Sequence, residues 1–290
     1  MNKRHRSSPR QPARLRLLRL AFRWLGPVAP RPFGRLASEL WFRTHRFPEP
    51  PRETRIRERA REGILEVDGL ELAAYQWGPE QAPTIALVHG WNGRATQLGA
   101  FIDPLLARGF RVVGLDAPGH GRSAGNATDL YQCARALRAL ADREGPLHGL
   151  IAHSFGALIT AQALGEGLAL QRCVLVAPPA GPDLLLERFQ AMLAIPPAVM
   201  ADMTRRIAQR FGEDFRERLQ VARMLGDRAC PALIIHDRDD RDAPLTDAEA
   251  LAAHWARAEL MITEGLGHRR ILRDAEVIGA GVGFIDGESK

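Results

Sequence analysis

Lysine is nearly absent from this chain: Lys3 and Lys290 are the only two, and every other basic residue is arginine. The bias reads as genome composition, so nothing is drawn from arginine over lysine as such. Cysteine is scarce as well. Cys133, Cys173 and Cys230 lie far apart with no CxxC pair, which argues against a disulfide framework and against a zinc site. That usage points to a reducing, cytoplasmic setting. Long hydrophobic runs are missing too. No stretch approaches the roughly 20 apolar residues needed to span a bilayer, and arginine recurs too often near the start to leave a signal-peptide core. No internal repeat or low-complexity tract is visible. What is present is the ordinary balance of a globular protein, with 46% hydrophobic and 26% charged residues in 290, enough for one large core or two small ones.

The net charge of +6 conceals a division. Residues 1–62 carry 17 Lys/Arg against 5 Asp/Glu, while the remainder carries 23 against 29. A mildly acidic body behind a basic front, with no recognisable recognition module, disfavours nucleic acid as a partner. Within the front, Leu15, Leu17, Leu18, Leu20, Phe22 and Leu25 alternate with Arg14, Arg16, Arg19 and Arg23. At 3.6 residues per turn this predicts a basic amphipathic helix over Ala13–Leu25, ended by Gly26-Pro27. A second apolar stretch, Leu36–Phe47, stops at Pro48. Two readings stay open: a surface that touches anionic lipid, giving peripheral contact with the inner face of a membrane, or segments that pack on the main domain while arginines remain in water. The acid-poor, arginine-rich start also bears a weak similarity to an organelle transit peptide.

Residues 1–12 are polar, basic and proline-bearing, and disorder is expected there. The domain reading is therefore a basic N-terminal extension over 1–62, with a Pro-led charged linker at 48–62, and a main domain over 63–290. From Gly63 strands and helices alternate. Ile64–Val67 and Leu72–Trp77 read as a hairpin through Asp68-Gly69, and Thr84–Val88 as a strand buried on both faces. Further strands are expected at Arg111–Leu115, Gly149–Ala152, Cys173–Val176, Ala232–His236 and Glu259–Thr263. Helices are expected at Ala95–Ala107, Asp129–Arg143, Phe155–Glu166, Asp247–Ala256 and Asp274–Phe284. Such alternation implies an α/β architecture, a mainly parallel sheet flanked by helices. The interruption at Ala177–Arg228 holds two proline pairs and helical runs at Pro182–Leu193 and Ala198–Phe211. It is too long for a structureless loop and reads as a small helical cap over one end of the sheet.

The strongest chemical signal is Ala152-His153-Ser154-Phe155-Gly156, between a predicted strand and a predicted helix. A nucleophile elbow needs this setting, because a sharp turn exposes the hydroxyl and small residues two before and two after let strand and helix approach. Ser154 as a mere helix cap is the bland alternative. Three further motifs stand at predicted strand ends: His89-Gly90-Trp91-Asn92-Gly93, then Asp116-Ala117-Pro118-Gly119-His120-Gly121-Arg122-Ser123, and finally an acid segment followed by Gly265-Leu266-Gly267-His268. With these four in this order, residues from about Gly63 to Phe284 resemble the α/β-hydrolase fold family, with a short helical cap.

The resemblance implies a serine hydrolase, esterase-like, with Ser154 as nucleophile and His268 as base. It assigns the acid within His236-Asp237-Arg238-Asp239-Asp240-Arg241-Asp242-Ala243-Pro244, where the family pattern selects Asp240 and leaves Asp239 and Asp242 as alternatives. Asp237 stands where the family usually has glycine, and Ala152 where it usually has glycine. A calcium loop is a poor reading of these acids, since the required glycine and terminal glutamate are missing. The backbone N–H groups of Trp91 and Phe155 are the implied oxyanion donors, while His89 and His120 are expected to be structural. No cofactor and no metal are implied. The expected substrate is a small ester or acyl compound; a membrane-surface lipid hydrolase or lysophospholipase, and a non-catalytic scaffold with a hydrolase fold, remain as alternatives. Arg269, beside the histidine, is a candidate partner for an anionic substrate group, against the plainer role of helix cap or surface link for the pair Arg269-Arg270. Acyl length and oligomeric state are not legible.

Overall fold

In the computed structural model, residues 13–225 and 230–287 are described; the expected disorder at 1–12 and the last residues of the insertion fall outside them. The helices are α1 (Ala13–Leu25), α2 (Pro30–Phe42), α3 (Pro51–Glu58), α4 (Ile102–Ala107), α5 (Leu130–Glu144), α6 (Phe155–Gly165), α7 (Asp183–Leu193), α8 (Pro197–Phe211), α9 (Phe215–Arg218), α10 (Val221–Leu225), α11 (Leu245–His254), α12 (Gly267–Arg270) and α13 (Ala275–Asp286). The strands are β1 (Arg61–Val67), β2 (Leu70–Trp77), β3 (Thr84–Val88), β4 (Arg111–Leu115), β5 (Leu147–His153), β6 (Leu170–Val176), β7 (Ala232–Asp237) and β8 (Ala258–Thr263). They form one eight-stranded sheet in the order β1-β2-β4-β3-β5-β6-β7-β8. β1 pairs antiparallel with β2 and β2 with β4, and every other pairing is parallel. The hairpin turns at Asp68-Gly69, both in the left-handed region that its tight geometry requires.

The central strands β3 and β4 are buried at every position, as short apolar runs covered by helices should be; the one charge among them, Arg111, donates to Thr84 Oγ1 and Glu144 O. α6 carries no charged residue and is buried nearly all round, the signature of a helix enclosed within a core. The expected helix over Ala95–Ala107 is instead a 3₁₀ segment, Ala95–Phe101, followed by α4. Pro104 explains the break: it has no N–H to continue an earlier helix but is tolerated in the first turn of a new one. α2 begins at Pro30, upstream of the expected apolar stretch, with Pro30 and Pro32 in a first turn that needs no donors from them. It ends at Phe42, where the chain becomes extended and Arg43 bridges to Ala127.

Two compact units emerge. The larger comprises Phe42–Pro182 with Arg216–Lys290; the smaller joins the described part of Met1–Trp41 to Asp183–Phe215. The units cut across the expected boundary at 62/63. In the larger unit, α3 is anchored by Trp77, whose Nε1–H donates to Ile56 O at 2.9 Å, and by Ile56 seated against Gly99, where a Cβ would collide with it. In the smaller unit, Phe22 is fully buried and meets Phe33 edge-on at 5.4 Å, and Trp41 meets Phe189 at 5.2 Å. Gly34 leaves space for the buried Asp202, which holds Arg205 at 2.7 Å and Arg206 at 2.6 Å. The Arg19 guanidinium donates to Ala191 O and Met192 O, tying α1 to α7. No described helix is long and apolar enough to cross a membrane.

Candidate active site

Ser154 stands at the junction of β5 and α6 with φ 53° and ψ −121°, a sparsely populated conformation that costs ~1–3 kcal/mol and persists only where its surroundings enforce it. They do so here. The Ser154 amide donates to Val176 O on β6 at 2.9 Å, and a Cβ on Gly156 would collide with Val88 O on β3. Ala152 is fully buried between Val88 and Leu175, so the alanine in place of glycine is accommodated within the sheet. The turn thus lifts the hydroxyl clear at the C-terminal edge of the parallel strands.

Three side chains from separate loops meet there. His268 Nε2 lies 2.9 Å from Ser154 Oγ, and His268 Nδ1 lies 2.7 Å from Asp240 Oδ2. A carboxylate can only accept, so Nδ1–H donates to Asp240 and Nε2 is left to accept the Ser154 proton. The Asp240 side chain is fully buried. Burial alone would raise its pKa, but hydrogen bonds from His268 and from the Ala243 and Asp242 amides outweigh it and hold the carboxyl below its ordinary range. Of the three acids considered from sequence, Asp240 is the one on the imidazole. Asp239 instead accepts from the Gly265 amide, and its own amide donates to Asp237; Asp242 is exposed. Oxygens of Asp240 and Asp242 and a nitrogen of His268 lie within 4.8 Å of one another, but the Asp240–His268 hydrogen bond already occupies the shared donors.

Asp237 is the residue whose part the sequence did not disclose. Fully buried, it accepts from Thr263 Oγ1 at 2.8 Å and from the amides of Leu266 and Gly267 at 3.0 and 2.8 Å. These bonds outweigh the cost of burial and keep its carboxyl below the usual range. Its work is to brace the loop that carries His268. The other end of that loop is held by His153, whose Nε2–H donates to the His268 carbonyl at 2.8 Å and whose ring lies 4.8 Å from the His268 ring. Burial pushes the pKa of His153 down to about 3, so it is neutral at physiological pH. A histidine beside a candidate nucleophile gives only a weak sequence signal for this bridging part.

The loop after β3 faces α6. Gly90 packs against Ser154 and His153, closely enough that a Cβ would stand 3.1 Å from each. Asn92 takes a left-handed turn, φ 58°, and its Oδ1 accepts from the His45 amide at 2.7 Å. The rings of Trp91 and Phe155 meet edge-on at 5.1 Å, which brings the two residues expected to supply oxyanion donors side by side. Beneath them His89 donates from Nδ1 to Gly90 O and accepts at Nε2 from the Ala117 amide. Burial lowers its pKa to about 4 and that of His120 to about 3. Asp116 ties the second motif together by accepting from the Ala95 and Arg122 amides and the Tyr75 hydroxyl. Arg270 donates to Leu266 O and Gly265 O, the plainer of the two roles considered, while Arg269 is exposed.

Chemically, the cluster offers a hydroxyl with an adjacent base and a buried anion to steady the imidazolium. Known proteins bear on what it belongs to. A segment of 56 residues is 43% identical to a bifunctional esterase/perhydrolase from Acinetobacter calcoaceticus, covering 19% of this chain and 20% of the relative, so the match spans only a fifth of that protein. Among solved structures, an esterase from Pyrococcus furiosus superposes with a TM-score of 0.66 at 19% identity, covering 85% of this chain and 97% of its own. A bacterial membrane phospholipase A superposes with a TM-score of 0.62 at 22% identity, covering 94% and 96%. At such identities these structures speak for the fold. The model of the alpha/beta hydrolase family matches residues 85–280, more than half of the 290-residue chain and inclusive of the Ser154, Asp240 and His268 loops. This chain belongs to the alpha/beta hydrolase family.

Proposed function

We propose that the protein hydrolyses a carboxylic ester or thioester through an acyl-enzyme on Ser154. The observation that carries the reading is the continuous hydrogen-bonded run from Ser154 Oγ through both ring nitrogens of His268 to buried Asp240. In the first half-reaction Oγ attacks the carbonyl carbon while His268 Nε2 takes the hydroxyl proton, and Asp240 stabilises the resulting imidazolium. The backbone amides of Trp91 and Phe155 receive the negative oxygen of the tetrahedral intermediate. Its collapse breaks the bond to the alcohol or thiol, which leaves with the proton from His268. Water then attacks the acyl-enzyme with His268 again as base, releasing the acid and restoring Ser154. The strained elbow supports the reading, because a serine acting only as a cap needs no left-handed backbone.

Labelling with a fluorophosphonate, alongside hydrolysis of a panel of p-nitrophenyl esters and acyl thioesters, tests it. The expected result is a labelled protein that turns over at least one class and loses both properties in Ser154→Ala. Labelling that survives this substitution, or a protein inert toward the whole panel and the probe, overturns it in favour of a scaffold that binds without cleaving.

A further inference from the structure

The serine site leaves one strongly patterned feature unused: the outer face of α1. The helix is apolar on two sides. Its inner side, with Leu15, Leu18 and Phe22, is turned into the smaller unit, and Phe22 is completely enclosed. Its outer side carries Leu17, Leu20 and Trp24, exposed by 67%, 52% and 67%; Leu25 at the last position of the helix and Val28 just beyond it are exposed as well, by 53% and 80%. At 100° per residue Leu17, Leu20 and Trp24 fall within about 60° of arc, so they form a ridge and not scattered contacts. The same geometry sets exposed Arg14 on one flank and exposed Arg16 and Arg23 on the other. The Arg23 guanidinium lies over the Trp24 ring, 5.5 Å from its centroid. No acidic residue precedes Glu39 anywhere in the sequence, so nothing on α1 itself offsets these cations.

We infer that this face seats the protein on an anionic lipid surface, with α1 lying in the plane of the interface. A leucine and tryptophan ridge held between two rows of arginine fits a bilayer boundary, where the apolar side chains sink below the headgroups and guanidinium groups meet phosphates. Tryptophan suits that depth because its ring is apolar and its N–H polar. A second copy of the chain is the poorer occupant. A two-fold contact across the ridge sets Arg14, Arg16 and Arg23 close to the same residues of the other copy, and like charges facing each other across a contact are costly. The helix is too short and too charged to cross a bilayer, so the contact is peripheral. This inference stands apart from the ester chemistry, since it needs no property of Ser154.

Co-sedimentation of the full chain with vesicles tests it, comparing pure phosphatidylcholine with phosphatidylcholine containing about 30% phosphatidylglycerol. Wild type is expected to pellet with the anionic vesicles and to be released as salt rises to about 0.5 M. The double variant Leu20→Glu/Trp24→Glu should bind at least about tenfold more weakly, and Arg14→Gln/Arg16→Gln/Arg23→Gln should lose the preference for anionic lipid. Far-UV circular dichroism and the melting temperature of both variants should match wild type, since every altered side chain is exposed. Wild type that stays in the supernatant, or a Leu20→Glu/Trp24→Glu protein that pellets as well as wild type, overturns the inference. So does self-association of wild type, seen by analytical ultracentrifugation, that the double variant abolishes without any vesicle binding in wild type.

Discussion

Helices α1 and α6 are similar in length and both carry many apolar residues, yet they are used in opposite ways. α6 has no charged residue, is apolar all round and is enclosed nearly everywhere. Its first turn is pressed so close to β3 that Gly156 admits no side chain. α1 is apolar on two opposite faces with arginines between them, and only one face is covered. Uniform apolarity without charge marks a helix that a core surrounds; apolarity in two stripes separated by cations marks one with an inside partner and an outside one. The difference also separates tolerance. Around the N-terminus of α6 the Ser154 amide, the Ser154 hydroxyl and His153 Nε2 each have a set partner, whereas Leu17, Leu20 and Trp24 on the outer side of α1 are exposed.

The comparison is broken most severely at Ser154. On the proposed mechanism, Ser154→Ala lowers kcat for an ester substrate by about 10⁴–10⁶-fold, with the melting temperature close to wild type, since alanine bears the same Cβ in the same strained backbone. Next comes Asp240→Asn, expected to cost about 10⁴-fold in kcat, while Asp239→Asn and Asp242→Asn stay close to wild type. Steady-state kinetics of the three variants sharpen the assignment of the acid, and an equal loss in Asp242→Asn would move it.

The inner face of α1 should respond like any core. Phe22→Ala is expected to destabilise the smaller unit by about 3–5 kcal/mol, read from denaturant unfolding, with its edge contact to Phe33 removed as well. Acid acts on the larger unit through buried histidines. His89, His120 and His153 have pKa values lowered by burial to about 4, 3 and 3, whereas an unfolded histidine titrates near pH 6.5. Below that value the unfolded chain binds protons that the folded one refuses. The stabilisation is therefore complete above about pH 6.5 and declines toward pH 3–4, by up to about 1.4 kcal/mol per pH unit for each group. Denaturant midpoints between pH 7 and 4 measure it, and replacing His153 with Gln should flatten the slope. The smallest effect belongs to the outer face of α1: Leu20→Ser should shift unfolding free energy by less than about 0.5 kcal/mol.

Much of this was readable beforehand because strand ends carry the chemistry. The runs Thr84–Val88, without charge, and Arg111–Leu115, apolar after its first residue, are short and flanked by glycine-bearing loops, so the sheet and its catalytic edge could be drawn from them. The pairing of Ser154 with His268 was implied by the resemblance to the α/β-hydrolase family in its motif order, and Asp240 by that family's pattern between His236 and Pro244, with Asp239 and Asp242 left open. What stayed hidden depends on contacts between distant segments. Asp237 reads as a departure from glycine until the amides of Leu266 and Gly267 are seen on it. The grouping of α1 and α2 with α7 and α8 turns on Gly34 leaving space for Asp202, and neither residue advertises the other. The break before α4 was legible in principle from Pro104 but was masked by the apolar period on either side.

The grip of Asp237 on the histidine loop has a bearing on how this scaffold can be rebuilt. Because the carboxylate at the tip of β7 holds the amides leading into His268, while Asp240 three residues later holds the ring itself, the two loops behave as one interlocking cassette. Grafting either loop alone from a relative with glycine at position 237 would leave the imported histidine without its foundation. Swapped as a pair, they should carry their alignment with them.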